Sequence, residues 1–586
     1  MPFYRSKHHL AESLHKPSII PTRFSLLTSN SFLADGFLIF LFIGLSLGFF
    51  TYIKQVIHPL ETTFAIELSP FHLVKYTFFS LSRGIVTYLI SLVFSIIYGS
   101  FAAKDKVSEK ILIPLLDILQ SIPVLGFMPG LVILLIGVFP YSNKGLELAS
   151  ILMIVTGQTW NMAFGVYHSM RTVPIDKLEC AKSYQLTRWQ IFRLVKLPCA
   201  TISLVWNSIM SMAGGWFFLM ISEAFQLGKK DFRLPGLGSY MSVAASEGNL
   251  TAMLWAIFAM ILLILFLDQF LWKPLIIWSQ KFRVEDVSSQ ELFYSWFLNI
   301  LKNSWILSQI HLQLKKISIL FKYATPWFHE KRKLSFDLNH FMNRLCLITL
   351  LLLLGIGLSF LVKTLYVIPS KKWFNLSYLT LLTFLRVSCC LALGVIIAIP
   401  LGLFIGTSRR YSQYLQSLIQ ITASFPATLL FPILIWIFKL TGMPLEISSI
   451  ILMLTGTLWY VLFNVIAGAK AIPEDLNEVA TSFRLPKLQK LLKLNLPVIF
   501  PYLITGVVTG SGGAWNASIV AEYLSYNGHI STVPGIGSSI SLAAQKGDIP
   551  LLLASLTLMV IVVVSINYIV WLKLYHYSEK QFALNY

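Results

Sequence analysis

The chain has 586 residues and a formal net charge of +20, with 56% hydrophobic and 12% charged residues and a mean hydropathy of +0.71. A soluble domain carries roughly 25% charged residues, so this composition excludes a soluble protein and points to an integral membrane one. The basic surplus is then no sign of nucleic-acid binding, because lysine and arginine gather in the cytoplasmic loops of membrane proteins.

Residues 1–35 form a polar, basic segment. A cleaved signal would reach its apolar core sooner and follow it with a small-residue cleavage site, so 36–53 reads as a retained first span. A span takes about 20 mostly apolar residues. By that measure spans fall at 36–53, 79–103, 112–140, 145–168, 198–222 and 251–272. A second set falls at 345–363, 378–405, 415–440, 447–468, 497–520 and 551–573. The expected fold is all-α and membrane-integral, with about 12 transmembrane helices in two six-helix repeats. The repeats occupy 36–272 (core 79–272) and 345–575 (core 378–575), joined by a linker at 273–344 and followed by a tail at 576–586.

The linker holds 11 Lys/Arg against five Asp/Glu and mixes lysines with Trp, Phe, Leu and Ile. No stretch of it is apolar enough to span, so it reads as an amphipathic segment on the inner membrane surface, and equally as a tether between the repeats. The positive-inside rule places the N- and C-termini and the linker in the cytoplasm. The loop with Lys104, Lys106 and Lys110 falls on the same side, whereas Lys371 and Lys372 are placed outside against the rule.

Two polar islands interrupt the apolar chain. The first begins at Val173-Pro174 and closes at Leu197-Pro198; the second begins at Ile472-Pro473 and closes at Leu496-Pro497. In each, a glutamate (Glu179, Glu478) lies 19 positions before the closing proline, and the copies are 299 positions apart. At the same offset Gly157, Trp160, Trp216 and Glu223 match Gly456, Trp459, Trp515 and Glu522, and Pro235-Gly236-Leu237-Gly238 matches Pro534-Gly535-Ile536-Gly537. Upstream the offset is 303, pairing Arg83, Gly99, Pro123 and Pro129 with Arg386, Gly402, Pro426 and Pro432. Each repeat holds an even number of spans, so the repeats are parallel about an axis along the membrane normal. A pathway would lie on that axis.

Each island is expected to be a short helix at the membrane surface. Pro174 and Pro473 stand where a helix can begin. Asp176 and Glu179, or Glu474, Asp475 and Glu478, lie in early turns that favour acids. Leu178 with Ala181, and Leu476 with Ala480, can face inward while Arg188, Arg193 and Lys196, or Lys487, Lys490 and Lys493, stay exposed. Chemistry is not encoded nearby. The five cysteines (Cys180, Cys199, Cys346, Cys389 and Cys390) lack metal-ligand spacing, the 11 histidines are scattered, and no nucleophile–base set is present. A phosphate loop needs Gly, four residues, then Gly-Lys-Ser/Thr. No stretch fits, and Gly510-Ser511-Gly512-Gly513 lacks the lysine and suits close helix packing.

Glu179-Cys180-Ala181, Gln185 and Val195-Lys196-Leu197-Pro198 resemble the glutamate-alanine-alanine loop of binding-protein-dependent ABC importer permeases. Glu478-Val479-Ala480, Arg484 and Leu494-Asn495-Leu496-Pro497 resemble it again. The family's glycine is replaced by Gln185 and Arg484, and its middle alanine by Cys180 and Val479. Trp515-Asn516-Ala517-Ser518-Ile519-Val520-Ala521-Glu522-Tyr523-Leu524 is similar to the nitrate/sulfonate/taurine branch, with Trp216 to Phe225 a looser copy. The resemblance implies the type I permease fold in a bacterial cytoplasmic (inner) membrane, importing a small anion such as nitrate, a sulfonate, taurine or bicarbonate. It implies that the chain binds no cofactor or metal itself. Two ATP-binding subunits carrying ATP-Mg would dock at the cytoplasmic face on Glu179, Ala181, Gln185, Leu197 and Pro198, and on Glu478, Ala480, Arg484, Leu496 and Pro497. An extracytoplasmic substrate-binding protein would deliver the substrate.

Charged residues inside spans are candidates for function. Arg83 and Arg386 sit at equivalent depths and are expected to set a positive potential along an anion path, or else to snorkel to headgroups. Trp216, Trp515 and Asn516 are candidates for the same path. Glu223 and Glu522, at outer helix ends, are expected to cap the Pro-Gly-x-Gly turn or to meet a docked binding protein. An ion-gradient-driven secondary transporter is the competing reading, but it would need a relay of intramembrane carboxylates. An enzyme lacks a catalytic constellation, and a passive scaffold leaves the repeated islands unexplained.

Overall fold

The computed structural model describes residues 29–59, 65–227, 230–282, 295–310, 312–313, 352, 355–408, 412–571, 573–574, 577–578 and 581. Residues 1–28, most of the linker, the start of the span expected at 345–363 and the end of the tail lie outside the described residues. Packing divides the chain into two units, Met1–Leu45 with Ser295–Arg332, and Ser46–Tyr294 with Lys333–Tyr586. The cores of both repeats, 79–272 and 378–575, therefore belong to one unit.

In the smaller unit the first half of helix α1 (Ser29–Ile57) holds a linker helix, Trp296–Asn303. Asp35 Oδ1 accepts from Ser304 Oγ at 2.5 Å and from the Ile306 N–H at 3.4 Å, and Phe37 meets Trp296 edge-on at 6.5 Å. Trp296, Trp305 and Ile310 are exposed.

In the larger unit the first repeat runs α2 (Pro70–Ala102), α3 (Lys106–Ser121), α4 (Val124–Val138), α5 (Lys144–Arg171), α6 (Ile175–Ser183) and α7 (Leu197–Ser222). A hairpin of β1 (Ala224–Leu227) and β2 (Lys230–Arg233) follows, then α8 (Leu237–Ser246) and α9 (Leu250–Leu267). The second repeat has the same order: α10 (Ser370–Thr407), α11 (Ser412–Ala423), α12 (Ala427–Thr441), α13 (Leu445–Lys470), α14 (Glu474–Ser482), α15 (Leu496–Ala521), β3 (Tyr523–Tyr526), β4 (His529–Thr532), α16 (Ile536–Lys546) and α17 (Ile549–Ile566). Among the described residues, eight helices are long and apolar enough to cross a membrane, and Val124–Val138, Gly355–Tyr366 and Ala427–Thr441 are shorter apolar helices.

The spans expected at 112–140 and 415–440 are each two helices, which corrects the sequence reading. Pro123 and Pro426 break them, because proline has no N–H to donate and its ring clashes with the preceding turn. The residue before a proline is driven to extended backbone, and Ile122 sits at φ −75°, ψ 125°. At 15 residues, α4 and α12 reach only about 22 Å at roughly 1.5 Å per residue, short of the ~30 Å hydrocarbon core. The other departure is α5. It is long enough to span, yet its Glu147 and Gln158 lower its hydropathy, and both face the inside at 1% exposure.

Each repeat is built on a triplet, α2–α5–α7 in the first and α10–α13–α15 in the second. Glycine at matched positions brings α2 and α10 close to their neighbours. A Cβ on Gly99 would lie 2.8 Å from Val166, and one on Gly402 2.5 Å from Val465, the small-residue packing that membrane helices rely on. α7 and α15 face common cavities: Gly214 and Gly513 line one between the repeats, and Ile221 and Val520 line another nearer the hairpins. The second hairpin also reaches the first repeat, where the Asn527 N–H donates to the Ala245 carbonyl at 2.9 Å. Hairpins thus share one end of the body, and the islands the other.

Candidate functional site

Each island folds as the residue types demand. α6 and α14 begin right after Pro174 and Pro473 in extended backbone, with Asp176 or Asp475 in the first turn, where the helix dipole favours an acid. Both helices end alike. The Leu186 N–H donates to the Ala181 carbonyl at 3.1 Å and the Gln185 N–H to Lys182 at 2.8 Å; Leu485 and Arg484 repeat this to Ala480 and Thr481 at 3.0 Å each. This is a Schellman-type ending, whose residue after the helix adopts left-handed backbone. Gln185 has φ 53° and Arg484 φ 48°. The turn that a glycine would ease is therefore made by non-glycine residues in both copies, at about 1–2 kcal/mol each.

After the turn the first island restarts with a capping box, Thr187 Oγ1 accepting from the Gln190 N–H at 3.3 Å and Gln190 Oε1 from the Thr187 N–H at 2.8 Å. The second uses Pro486 instead. A single π-helical turn, Phe192–Lys196 or Leu491–Asn495, then leads into α7 or α15, whose first turns contain Pro198 and Pro497. Ala181 and Ala480 are buried, anchoring the helices, while Glu179 and Glu478 are exposed, as are Gln185 and Arg484. Leu197, Pro198, Leu496 and Pro497 are half-buried. Sequence reasoning missed two residues here. Tyr184 and Phe483, matched by the same offset as the glutamates, are each 77% exposed. A large apolar side chain kept in both copies of a polar segment was the available signal.

At the opposite end Arg83 is enclosed rather than free. Its Nε and Nη2 donate to Glu147 Oε2 and Oε1 at 2.8 and 2.7 Å, and its Nη1 donates to Glu223 Oε1. Tyr52 donates to Glu147 Oε2 at 3.1 Å, and Ser80 to Glu223 Oε1 at 2.6 Å. In the second repeat Arg386 Nη1 and Thr383 Oγ1 donate to Glu522 Oε1 at 2.8 and 2.7 Å. The free positive potential expected of Arg83 and Arg386 is cancelled by these carboxylates, which is a correction. The match is also incomplete: Glu446, at the position of Glu147, is exposed.

The glutamates also cap the helices that follow. Glu223 Oε2 accepts from the Gly238 N–H at 2.6 Å, and Glu522 Oε2 from the Gly537 N–H at 2.9 Å and the Ser538 N–H at 3.3 Å. Both glutamates are fully buried, so they have no surface to offer a docked protein. This explains the repeated Pro-Gly-x-Gly: a Cβ on Gly236 or Gly535 would lie 2.2 Å from the capping carboxylate, and on Gly238 or Gly537 2.3 or 2.5 Å from the Met220 or Ser518 carbonyl oxygen.

Two of the cavities between the repeats are lined by both α7 and α15. The deeper is about 70 Å³, lined by Gly214 and Phe217 of α7, Gly513 and Asn516 of α15, and Tyr460 of α13. Asn516 Oδ1 accepts from the Leu125 N–H of the opposite repeat at 3.4 Å. The outer is about 330 Å³ and sits between the hairpins. Of the expected path residues, Asn516 alone lines either of these two; Trp216, 2% exposed, lines a smaller cavity between the repeats with Gln420 and Ser424, while Trp515, 1% exposed, and both arginines line none of the three. Trp216 fills the gap over Gly84, whose Cβ would lie 3.1 Å from its ring.

The family of binding-protein-dependent transport system inner membrane components matches residues 91–271 and again 398–580. The chain belongs to that family. This permease is 27% identical over 200 residues to the bicarbonate transport system permease protein of Synechococcus elongatus, covering 34% of the chain and 69% of that relative. It is 31% identical over 139 residues to a nitrate import permease protein of Leptolyngbya laminosa, covering 24% of the chain and 48% of the relative. A putative aliphatic sulfonates transport permease protein of Bacillus subtilis is 29% identical over 158 residues, covering 26% and 54%. The family match falls on both repeats, so the permease is an internally duplicated ABC permease.

Proposed function

We propose that this permease forms, from its two repeats, a single import pathway for a small anion, powered by two separate ATPase subunits. The anion class rests on the relatives, whose names state bicarbonate, nitrate and sulfonates. One observation carries the coupling. Two short helices of matching geometry project an exposed glutamate and an exposed aromatic residue from the same end of one body.

Each ATPase takes one island in a groove, with Glu179 or Glu478 facing its basic groups and Tyr184 or Phe483 as the apolar anchor. When ATP closes the ATPase dimer the islands move with it. Because α6 and α14 lead through the π turns into α7 and α15, the helices lining both interface cavities follow. The islands then mark the cytoplasmic face and the hairpins the side where a binding protein delivers substrate. The linker helix lies on the inner membrane surface, a reading supported by its exposed Trp296 and Lys302 and by the exposed Trp305 just after it.

The test is joint substitution, Glu179→Ala with Glu478→Ala, in cells that carry the whole transporter. ATPase recovery with the purified permease should fall and uptake should stop. Full recovery and full uptake would overturn the mechanism.

A further inference from the structure

Among the described residues, the outer cavity is lined by one ion pair, supplied by the first repeat: Asp231 and Arg233 of β2 are its only charged described side chains. At the matching positions the second hairpin has Ile530 and Thr532. Arg233 Nε and Nη2 both donate to one oxygen, Asp231 Oδ2, at 2.9 and 2.6 Å. Its Nη1 has no partner among the described residues. One edge of the guanidinium is thus held and the other is left open. Thr428 of the second repeat also lines the cavity, and its Oγ1 is buried without a hydrogen-bond partner among the described residues. A buried hydroxyl normally finds one.

We propose that Arg233 is the anion-recognising residue of this outer cavity, taking a small oxyanion on its open edge. The proposal rests on the anion-import reading above. A guanidinium suits the task because its planar fork matches the oxygens of carbonate, nitrate or sulfonate groups, which an ammonium cannot do. Asp231 orients the fork and offsets its charge. That keeps the anion from binding too tightly to move on, since transport requires binding weak enough to release. The asymmetry also fits. Two identical arginines would create two competing sites, whereas a fused chain can keep one.

A purely structural role for the pair, stiffening the hairpin, predicts a different mutational pattern, so the two can be separated. In a chain whose five cysteines are replaced by serine, Ser242→Cys places a thiol on the cavity wall, where Ser242 is exposed. Its reaction with a neutral thiol reagent is followed in membrane vesicles with added nitrate, bicarbonate or methanesulfonate, and with tetramethylammonium as the cationic control. At least one anion should slow labelling severalfold and the cation should not. Arg233→Gln should abolish the protection, Arg233→Lys should retain part of it, and Asp231→Asn should strengthen it.

If Arg233→Gln and Asp231→Asn shift protection in the same direction, the pair is structural and the proposal fails. It fails equally if none of the three anions protects, or if protection survives Arg233→Gln. Uptake of the same anions by the complete transporter tests the underlying reading separately. No uptake, with protection that depends on Arg233, would remove the import reading alone; uptake with protection that ignores Arg233 would remove this proposal alone.

Discussion

Two arginines at matched positions do different amounts of electrostatic work. Arg83 pairs with two buried carboxylates, Glu147 and Glu223, whereas Arg386 pairs with one, Glu522. Removing one partner of a buried ion pair costs about 3–5 kcal/mol because the other charge is stranded. Glu522 would keep the Thr383 hydroxyl and its backbone N–H donors, while Glu147 would keep little beyond the Tyr52 hydroxyl. Arg83→Gln should therefore lower the unfolding temperature of the detergent-purified permease more than Arg386→Gln does. Adding Glu147→Gln to Arg83→Gln should recover part of the loss, and equal losses for the two arginines would contradict this account.

Among the elements, the island turns show how a fold can keep a shape without the residue that suits it best. Gln185 and Arg484 hold left-handed backbone in two separate copies, each at about 1–2 kcal/mol. Both side chains are exposed, so the cost is borne at the surface where an ATPase would sit. Glycine would remove the strain but add conformational entropy to the unfolded chain, offsetting about 0.5–1 kcal/mol. Gln185→Gly and Arg484→Gly should each stabilise their turn by roughly 0.5–1 kcal/mol. Hydrogen exchange of the Leu186 and Leu485 amides, which close the two turns, should slow by a few-fold; faster exchange would mean the turns are not strained.

For the molecule as a whole, the proposed function has both repeats serve one axis and each island engage its own ATPase. Tyr184 and Phe483 are equally exposed, and an aromatic anchor at an interface centre is worth about 2 kcal/mol or more. Tyr184→Ala alone and Phe483→Ala alone should each weaken ATPase recovery, and the double variant should nearly abolish it. Since neither side chain is buried, the unfolding temperature of the isolated permease should stay the same. A large drop in that temperature would assign both residues to packing instead.

The membrane class, the parallel duplication, the positions of both islands and the family were all legible in the residues. Hydropathy and an exact repeat spacing need no tertiary information, and proline and acidic residues at the island starts announce helices locally. The hairpins were missed although Asn527-Gly528, with both residues at positive φ, is a strong turn signal; the apolar helices around it dominated the reading. The breaks at Pro123 and Pro426 were likewise present in sequence but overridden by hydropathy. Tertiary structure alone decided the fate of the charges. Whether an arginine in a span faces a path or a carboxylate depends on which helices become neighbours, and Glu147 lies 64 positions from Arg83, beyond any local pattern. The same holds for the outer cavity. Asp231 and Arg233 go unremarked in the sequence, because the cavity they line is closed only by a second hairpin some 300 positions away.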